Sequence, residues 1–150
     1  MIRLGRSEYS RSINTGTVEK QDIKFRSDPG SIRESSTRIL KYLEGYGLDE
    51  SAAFEIKLCV EEAVRNAIVH GNKSDPRRQV RLSYWVDGNT LTIEIEDEGK
   101  GFDHKFVKDP TKEENLLRNS GRGVYLIQKL MDETDYNERG NMITMKKRIK

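Results

Sequence analysis

The chain has 150 residues, 34% hydrophobic and 35% charged, and its 27 basic and 25 acidic side chains leave a net charge of +2. No apolar run approaches the ~18 residues of a membrane span, and the balanced charge lacks the basic footprint of a nucleic-acid binder. The lone cysteine, Cys59, excludes an internal disulfide and a cysteine-based zinc cluster.

A chain of this length reads as one domain that buries roughly 68–70% of its unfolded surface around a single core. Residues 1–18 are rich in Ser, Arg, Gly, Asn and Thr without a hydrophobic period, and are expected as a flexible N-terminal extension. Arginine, serine and glutamate interrupt residues 2–12, which therefore lack the apolar stretch of a secretory signal, and the expected location is cytoplasmic. The domain proper is expected over residues 19–150.

Residues 21–26 alternate, with Ile23 and Phe25 on one side, and Ser27, Asp28, Pro29 and Gly30 punctuate the chain before Ile32, Ile39, Leu40 and Leu43 take up a helical spacing. Gly45 and Gly47 break that helix. Asp49 or Ser51 can cap a second, longer one reaching about His70. On it Ala53, Ile56, Val60, Ala63, Val64 and Ala67 share an arc that faces the core. Glu62 and Asn66 lie off that arc between Leu58, Cys59 and Val69, while Lys57, Glu61 and Arg65 form a separate solvated stripe.

After a loop containing Pro76, Val80, Leu82, Tyr84 and Val86 alternate with polar residues up to an Asp87-Gly88-Asn89 turn, and Leu91, Ile93 and Ile95 alternate beyond it, which predicts a β-hairpin. Trp85 falls on the polar side as a partly exposed strand aromatic. Residues 99–120 turn charged, carry Pro110 and lose their period, and are read as a lid. Val124, Tyr125, Leu126, Ile127, Leu130 and Met131 then describe a short apolar helix, followed by a hairpin over residues 134–137 and 142–149 across Gly140 and Asn141. The expected order is β-α-α-β-β-lid-α-β-β.

Three polar patches punctuate these elements. Glu62 and Asn66 stand four residues apart and project side by side from one helix. An amide oxygen such as that of Asn66 suits a magnesium ion that keeps most of its waters and phosphate ligands, and Glu62 can take a proton from an attacking hydroxyl. Asp97 ends a strand before Gly99 and Gly101. A carboxylate only accepts hydrogen bonds, so it favours the exocyclic amino group of adenine over the carbonyl of guanine. Ser120, Gly121, Arg122 and Gly123 open a helix whose backbone N–H groups can face an anion.

Each patch also has a purely structural reading, as a solvated pair, an acidic glycine turn and a helix cap. The third lacks the Walker lysine and does not follow a strand as a dinucleotide fingerprint does. His70 and His104 stand in no zinc-site or triad spacing, and Cys59 reads as a small buried filler.

In this order the patches resemble the boxes of the GHKL ATPase superfamily. Glu62-Ala63-Val64-Arg65-Asn66-Ala67-Ile68-Val69-His70-Gly71-Asn72 is similar to its N box, Asp97-Glu98-Gly99-Lys100-Gly101 to its first glycine box, and Ser120-Gly121-Arg122-Gly123 to its second. The resemblance covers about residues 20–149, and the short length points to the branch of bacterial anti-sigma factor serine/threonine kinases. It implies an α+β fold, a two-layer α/β sandwich with helices on one face of a mixed, mainly antiparallel sheet, and ATP and Mg2+ held under a lid.

Carried over residue by residue, Glu62 becomes the general base and Asn66 the magnesium ligand. Asp97 becomes the adenine reader, and Gly99, Gly101, Ser120, Gly121, Arg122 and Gly123 become nucleotide contacts. The implied activity is phosphorylation of a STAS-domain anti-anti-sigma partner combined with sequestration of a sigma factor; a homodimer is left open. The alternative is a nucleotide-binding module that sequesters a partner without kinase activity. A detached histidine-kinase catalytic domain would need a dimerising hairpin with a phospho-accepting histidine, which no segment offers. Arg122 fills the variable slot between the second-box glycines. Where some relatives place a basic lid residue this chain has Asn119, with Arg118 one position earlier, so the resemblance assigns no γ-phosphate arginine.

Overall fold

A computed structural model describes residues 9–15, 18–100 and 119–149. The elements run β1 (Tyr9–Thr15), β2 (Val18–Arg26), α1 (Gly30–Tyr42), a 3-10 turn (Leu43–Tyr46), α2 (Glu50–Asn66), a π turn (Ala67–Gly71), β3 (Gln79–Asp87), β4 (Thr90–Glu96), α3 (Asn119–Leu130), β5 (Glu133–Tyr136) and β6 (Met142–Arg148). The six strands form one sheet in the order β1-β2-β3-β4-β6-β5. Every ladder among the described residues is antiparallel. The parallel share of the expected mixed sheet is therefore not found among them, because each neighbouring pair is a hairpin or an antiparallel return.

Alternation in sequence becomes one buried sheet face. Register aligns Ile23 with Leu82, Leu82 with Ile95, and Ile95 with Ile143, and a second row takes Tyr84, Ile93 and Met145. These side chains share one core with Ile39 of α1, Ile56, Val60 and Val64 of α2, and Ile127 of α3, so all three helices cover this face. The two-layer α+β sandwich expected from the resemblance is what forms. The opposite face is polar. Ser83 Oγ donates to Asp22 at 2.8 Å, Arg81 reaches Asp22 at 3.2 Å, and Lys20 sits 4.7 Å from the centre of the Trp85 ring.

Local chemistry explains the element ends. Asp49 caps α2 by accepting the Ala52 N–H at 2.7 Å. Gly47 takes the left-handed conformation (φ 69°) that stops the preceding 3-10 turn, and Gly88 does so (φ 61°) in the β3–β4 turn. The C-terminal end of α3 is tied down from two sides. Lys147 of β6, 9% exposed, donates to the Leu130 carbonyl at 2.9 Å and pairs with Glu55 of α2 at 3.2 Å.

Two expectations differ from the structure here. Tyr9–Thr15, expected within the N-terminal extension, is strand β1, paired along its length from Tyr9 opposite Lys24 to Thr15 opposite Val18. Its polar sequence shows no hydrophobic period, and the backbone ladder with β2 is what defines the strand. Glu61 does not belong to a solvated stripe. It accepts from Ser36, a buried α1 hydroxyl, at 2.6 Å and pairs with Lys57 at 3.1 Å, so it faces the α1–α2 seam. Among the described residues no helix is long and apolar enough to cross a membrane.

Candidate active site

The site forms where α2 ends. The helix widens over Ala67–Gly71 into a π turn in which the Asn72 N–H reaches back to the Ala67 carbonyl at 2.8 Å. The chain then passes through two non-glycine residues in the left-handed region, Lys73 (φ 55°) and Ser74 (φ 56°). Such backbone costs of order 1–3 kcal/mol per residue and persists only where surrounding bonds enforce it. Here Ser74 N–H bonds to the Ile68 carbonyl at 2.8 Å and Asp75 N–H to the Asn72 carbonyl at 3.0 Å.

This turn brings two of the patches together. Gly71 lies so close to the Asp97 carboxylate that a methyl group on it would collide with the carboxylate itself, and a methyl on Gly99 would strike the Gly71 carbonyl. Asp97 therefore sits in a slot between two glycines at the end of β4. Its Oδ1 accepts the Gly99 N–H at 2.8 Å. Among the described residues no hydrogen bond is made to Oδ2, which packs against Gly71. Burial pushes the Asp97 carboxyl above the ordinary range, while the Gly99 N–H and the charge of Arg139 pull the other way.

The backbone of Asp97 is held from both neighbours. Its N–H and C=O bond to Asn141, through the carbonyl and the side-chain amide respectively, each at 2.9 Å. Arg139 donates to the Gly99 carbonyl at 3.1 Å, and the Glu98 N–H donates to the buried Asn72 side chain at 2.7 Å.

The third patch meets the first. Ser120, Gly121, Arg122 and Gly123 lie in the first turns of α3 (Asn119–Leu130), which packs on α2. A Cβ on Gly123 would stand 2.7 Å from Glu62 Oε2 and 3.2 Å from Asn66 Nδ2, so the glycine lets α3 approach both side chains. Glu62 Oε1 in turn accepts from Arg65 at 2.6 Å. Cys59, close behind, is fully buried, and burial pushes its thiol up to about 11, which removes it as a nucleophile.

Of the residues singled out in the sequence, Glu62, Asn66 and Gly123 thus converge at one end and Asp97 and Gly99 at the other. The end of α2 and its π turn link the two ends. Arg122 is exposed on α3. Gly101 and residues 101–118 of the segment 99–120 read as a lid, Arg118 among them, lie outside the described residues, as do the side chains at 119–121. Sequence reading passed over Gly71, Asn72 and Asn141 as individual contributors. A glycine and an asparagine after a helix read as an ordinary stop signal, and only the close approach of β4 shows their second duty.

Chemically the arrangement suits a magnesium nucleotide. An acceptor-only carboxylate in a glycine slot fits an exocyclic amine and the flat ring attached to it. A helix N-terminus whose glycine leaves room beside an amide and a carboxylate fits phosphates and a hard cation. The donor set, an amide at Asn66 beside a carboxylate at Glu62 with the start of α3 brought against both at Gly123, is the observation on which a metal–phosphate group fits these residues.

Comparison with known proteins agrees with this geometry. The sequence pattern of the histidine kinase-like ATPase domain matches residues 25–147. The chain is 38% identical over 100 residues to an anti-sigma F factor of Anoxybacillus flavithermus, covering 64% of this chain and 67% of that protein. It is 37% identical over 102 residues to the serine-protein kinase RsbW of Staphylococcus epidermidis, covering 63% and 64%, and 38% identical over 104 residues to that of Staphylococcus aureus, covering 64% and 65%. The chain spans about two thirds of the length of these relatives.

Proposed function

This chain belongs to the histidine kinase-like ATPase domain family, and we propose that it is an ATP-dependent protein serine/threonine kinase and anti-sigma factor. In this reading it phosphorylates a STAS-domain anti-anti-sigma protein and sequesters a sigma factor, and its work is in the cytoplasm. The observation that carries the reading is the convergence of the three patches, with Gly123 against Glu62 and Asn66 and with Asp97 slotted between Gly71 and Gly99. The names of the relatives, anti-sigma F factor and serine-protein kinase, support the choice of partners and acceptor.

Asp97 accepts the adenine amino N–H, with its carboxylate set by close packing on Gly71 and by the bond from the Gly99 N–H. Ser120, Gly121, Arg122 and Gly123 border the phosphates, which the free N–H groups of the first turn of α3, at Ser120 and Gly121, can face. Asn66 would hold Mg2+, which when bound neutralises phosphate charge. Glu62 accepts the proton of the acceptor serine as its oxygen bonds to the γ-phosphorus. The bond from that phosphorus to the β,γ-bridging oxygen breaks, and ADP leaves with the electron pair.

A second reading, nucleotide-dependent sequestration without transfer, draws on one observation. Glu62 is engaged by Arg65 at 2.6 Å, so that oxygen is already committed to a neighbour on its own helix. Transfer of labelled phosphate from ATP to a partner captured from the native cell separates the two. The kinase reading expects transfer by the wild type and none by Glu62→Gln with ATP binding retained; equal transfer by both removes Glu62 as the base. A captured partner that is never labelled favours sequestration.

A further inference from the structure

We infer that Asn72 is a positioning residue for purine recognition, fixing the Asp97–Glu98 peptide and through it the direction of the Asp97 carboxylate; this rests on the reading of Asp97 as the adenine contact. Asn72 is 0% exposed, and its side chain is fully engaged. Oδ1 accepts the Glu98 N–H at 2.7 Å, and Nδ2 donates to Ser27 Oγ at 2.8 Å and to the Gln79 carbonyl at 3.0 Å. Ser27 Oγ in turn donates to the Arg78 carbonyl at 2.8 Å. One amide thus joins the ends of β2, α2 and β4 to the start of β3.

The contact with Glu98 bears on function because of where it falls. The Glu98 N–H and the Asp97 carbonyl belong to the one peptide that follows Asp97, so Asn72 holds its N–H edge and the Asn141 side chain its C=O edge. The Asp97 carboxylate lies where a Cβ on Gly71 would stand and its Oδ1 accepts the Gly99 N–H at 2.8 Å, so rotating the Asp97–Glu98 peptide would shift the carboxylate relative to both glycines. The strained residues Lys73 and Ser74 directly follow Asn72. Their backbone is what allows the chain to leave the site while this amide stays turned inward.

The test compares ATP with inosine triphosphate, whose ring carries an acceptor oxygen where adenine carries the amino group. In the wild type Kd for inosine triphosphate should exceed that for ATP. Asn72→Ala should shrink this ratio about tenfold, the worth of one hydrogen bond to a charged group. Asn72→Asp keeps an oxygen for the Glu98 N–H and should hold the ratio within about twofold of wild type, even where melting shows a loss of stability.

A ratio unchanged in Asn72→Ala, with only Tm lowered, overturns the positioning role and leaves a structural one. A ratio that falls as far in Asn72→Asp as in Asn72→Ala overturns it too. Should Asn72→Ala not fold, the Asp variant decides, since a ratio as low as that of Asp97→Asn contradicts the inference and a retained ratio supports it. A wild type that binds both nucleotides equally defeats the adenine reading itself, a failure visible before any Asn72 variant is made.

Discussion

Asp97 shows how burial alters the chemistry of one residue. Its raised pKa means that the folded chain holds this proton more tightly than the unfolded chain does. The group therefore opposes folding fully above its folded pKa, and the opposition is relieved as pH falls from there toward the ordinary aspartate value. ATP binding has the reverse sign. In the proposed role it is the ionised form that accepts the adenine N–H, so affinity should be full above the raised pKa and fall as pH drops through it. ATP titrations over a pH series should show this loss in the wild type and a flatter profile in Asp97→Asn, and parallel profiles would exclude the carboxylate from binding. Gly123 offers a steric counterpart. Its missing Cβ would lie 2.7 Å from Glu62 Oε2, so an alanine there would push the tip of that flexible side chain aside at little cost to the fold. Gly123→Ala should therefore lower kcat/KM for phosphate transfer at least about fivefold while CD spectra stay native. Unaltered transfer would place Glu62 outside the reaction.

At the scale of elements, capping is the cleanest local test. The bond from Ala52 N–H to Asp49 satisfies one of the free donors at the start of α2, so Asp49→Ala should cost about 1 kcal/mol in urea unfolding with an unchanged m-value. No change in midpoint would mean that the α2 start is held by packing alone. The same elements show what a linear reading can carry. Helix α2 was legible from its arc of Ile56, Val60, Ala63 and Val64, and the β3–β4 hairpin from alternation around Gly88, because burial writes a period into the chain. Strand β1 was not legible, since its ladder with β2 is made by backbone groups that leave no period. Glu61 was misread for a related reason, because a carboxylate facing a buried hydroxyl on another helix looks in sequence like any charge in a stripe. Within the site, Glu62, Asn66, Asp97 and Gly99 could be named from residue chemistry and box resemblance. Gly71, Asn72 and Asn141 act only through contacts between segments distant in sequence, and no local spacing announces those.

For the whole molecule, the sheet sets the layout. One face is closed by three helices over a single core, and the site opens where α2 ends, beside the end of β4 and the start of α3. A nucleotide bound there touches both layers, so it should stabilise the domain as a unit. At a free concentration of 100 times Kd, Mg·ATP should raise the unfolding free energy by about 2.7 kcal/mol and Tm by roughly 5–10 °C. A melting temperature indifferent to Mg·ATP would mean that the patches do not form a site in solution. The most direct measurement is calorimetric titration of Mg·ATP into the wild type and Asp97→Asn. Binding of one nucleotide per chain, weakened about ten- to a hundredfold in the variant, is the predicted result. Equal affinity in the two proteins, or no binding to the wild type, would contradict the account.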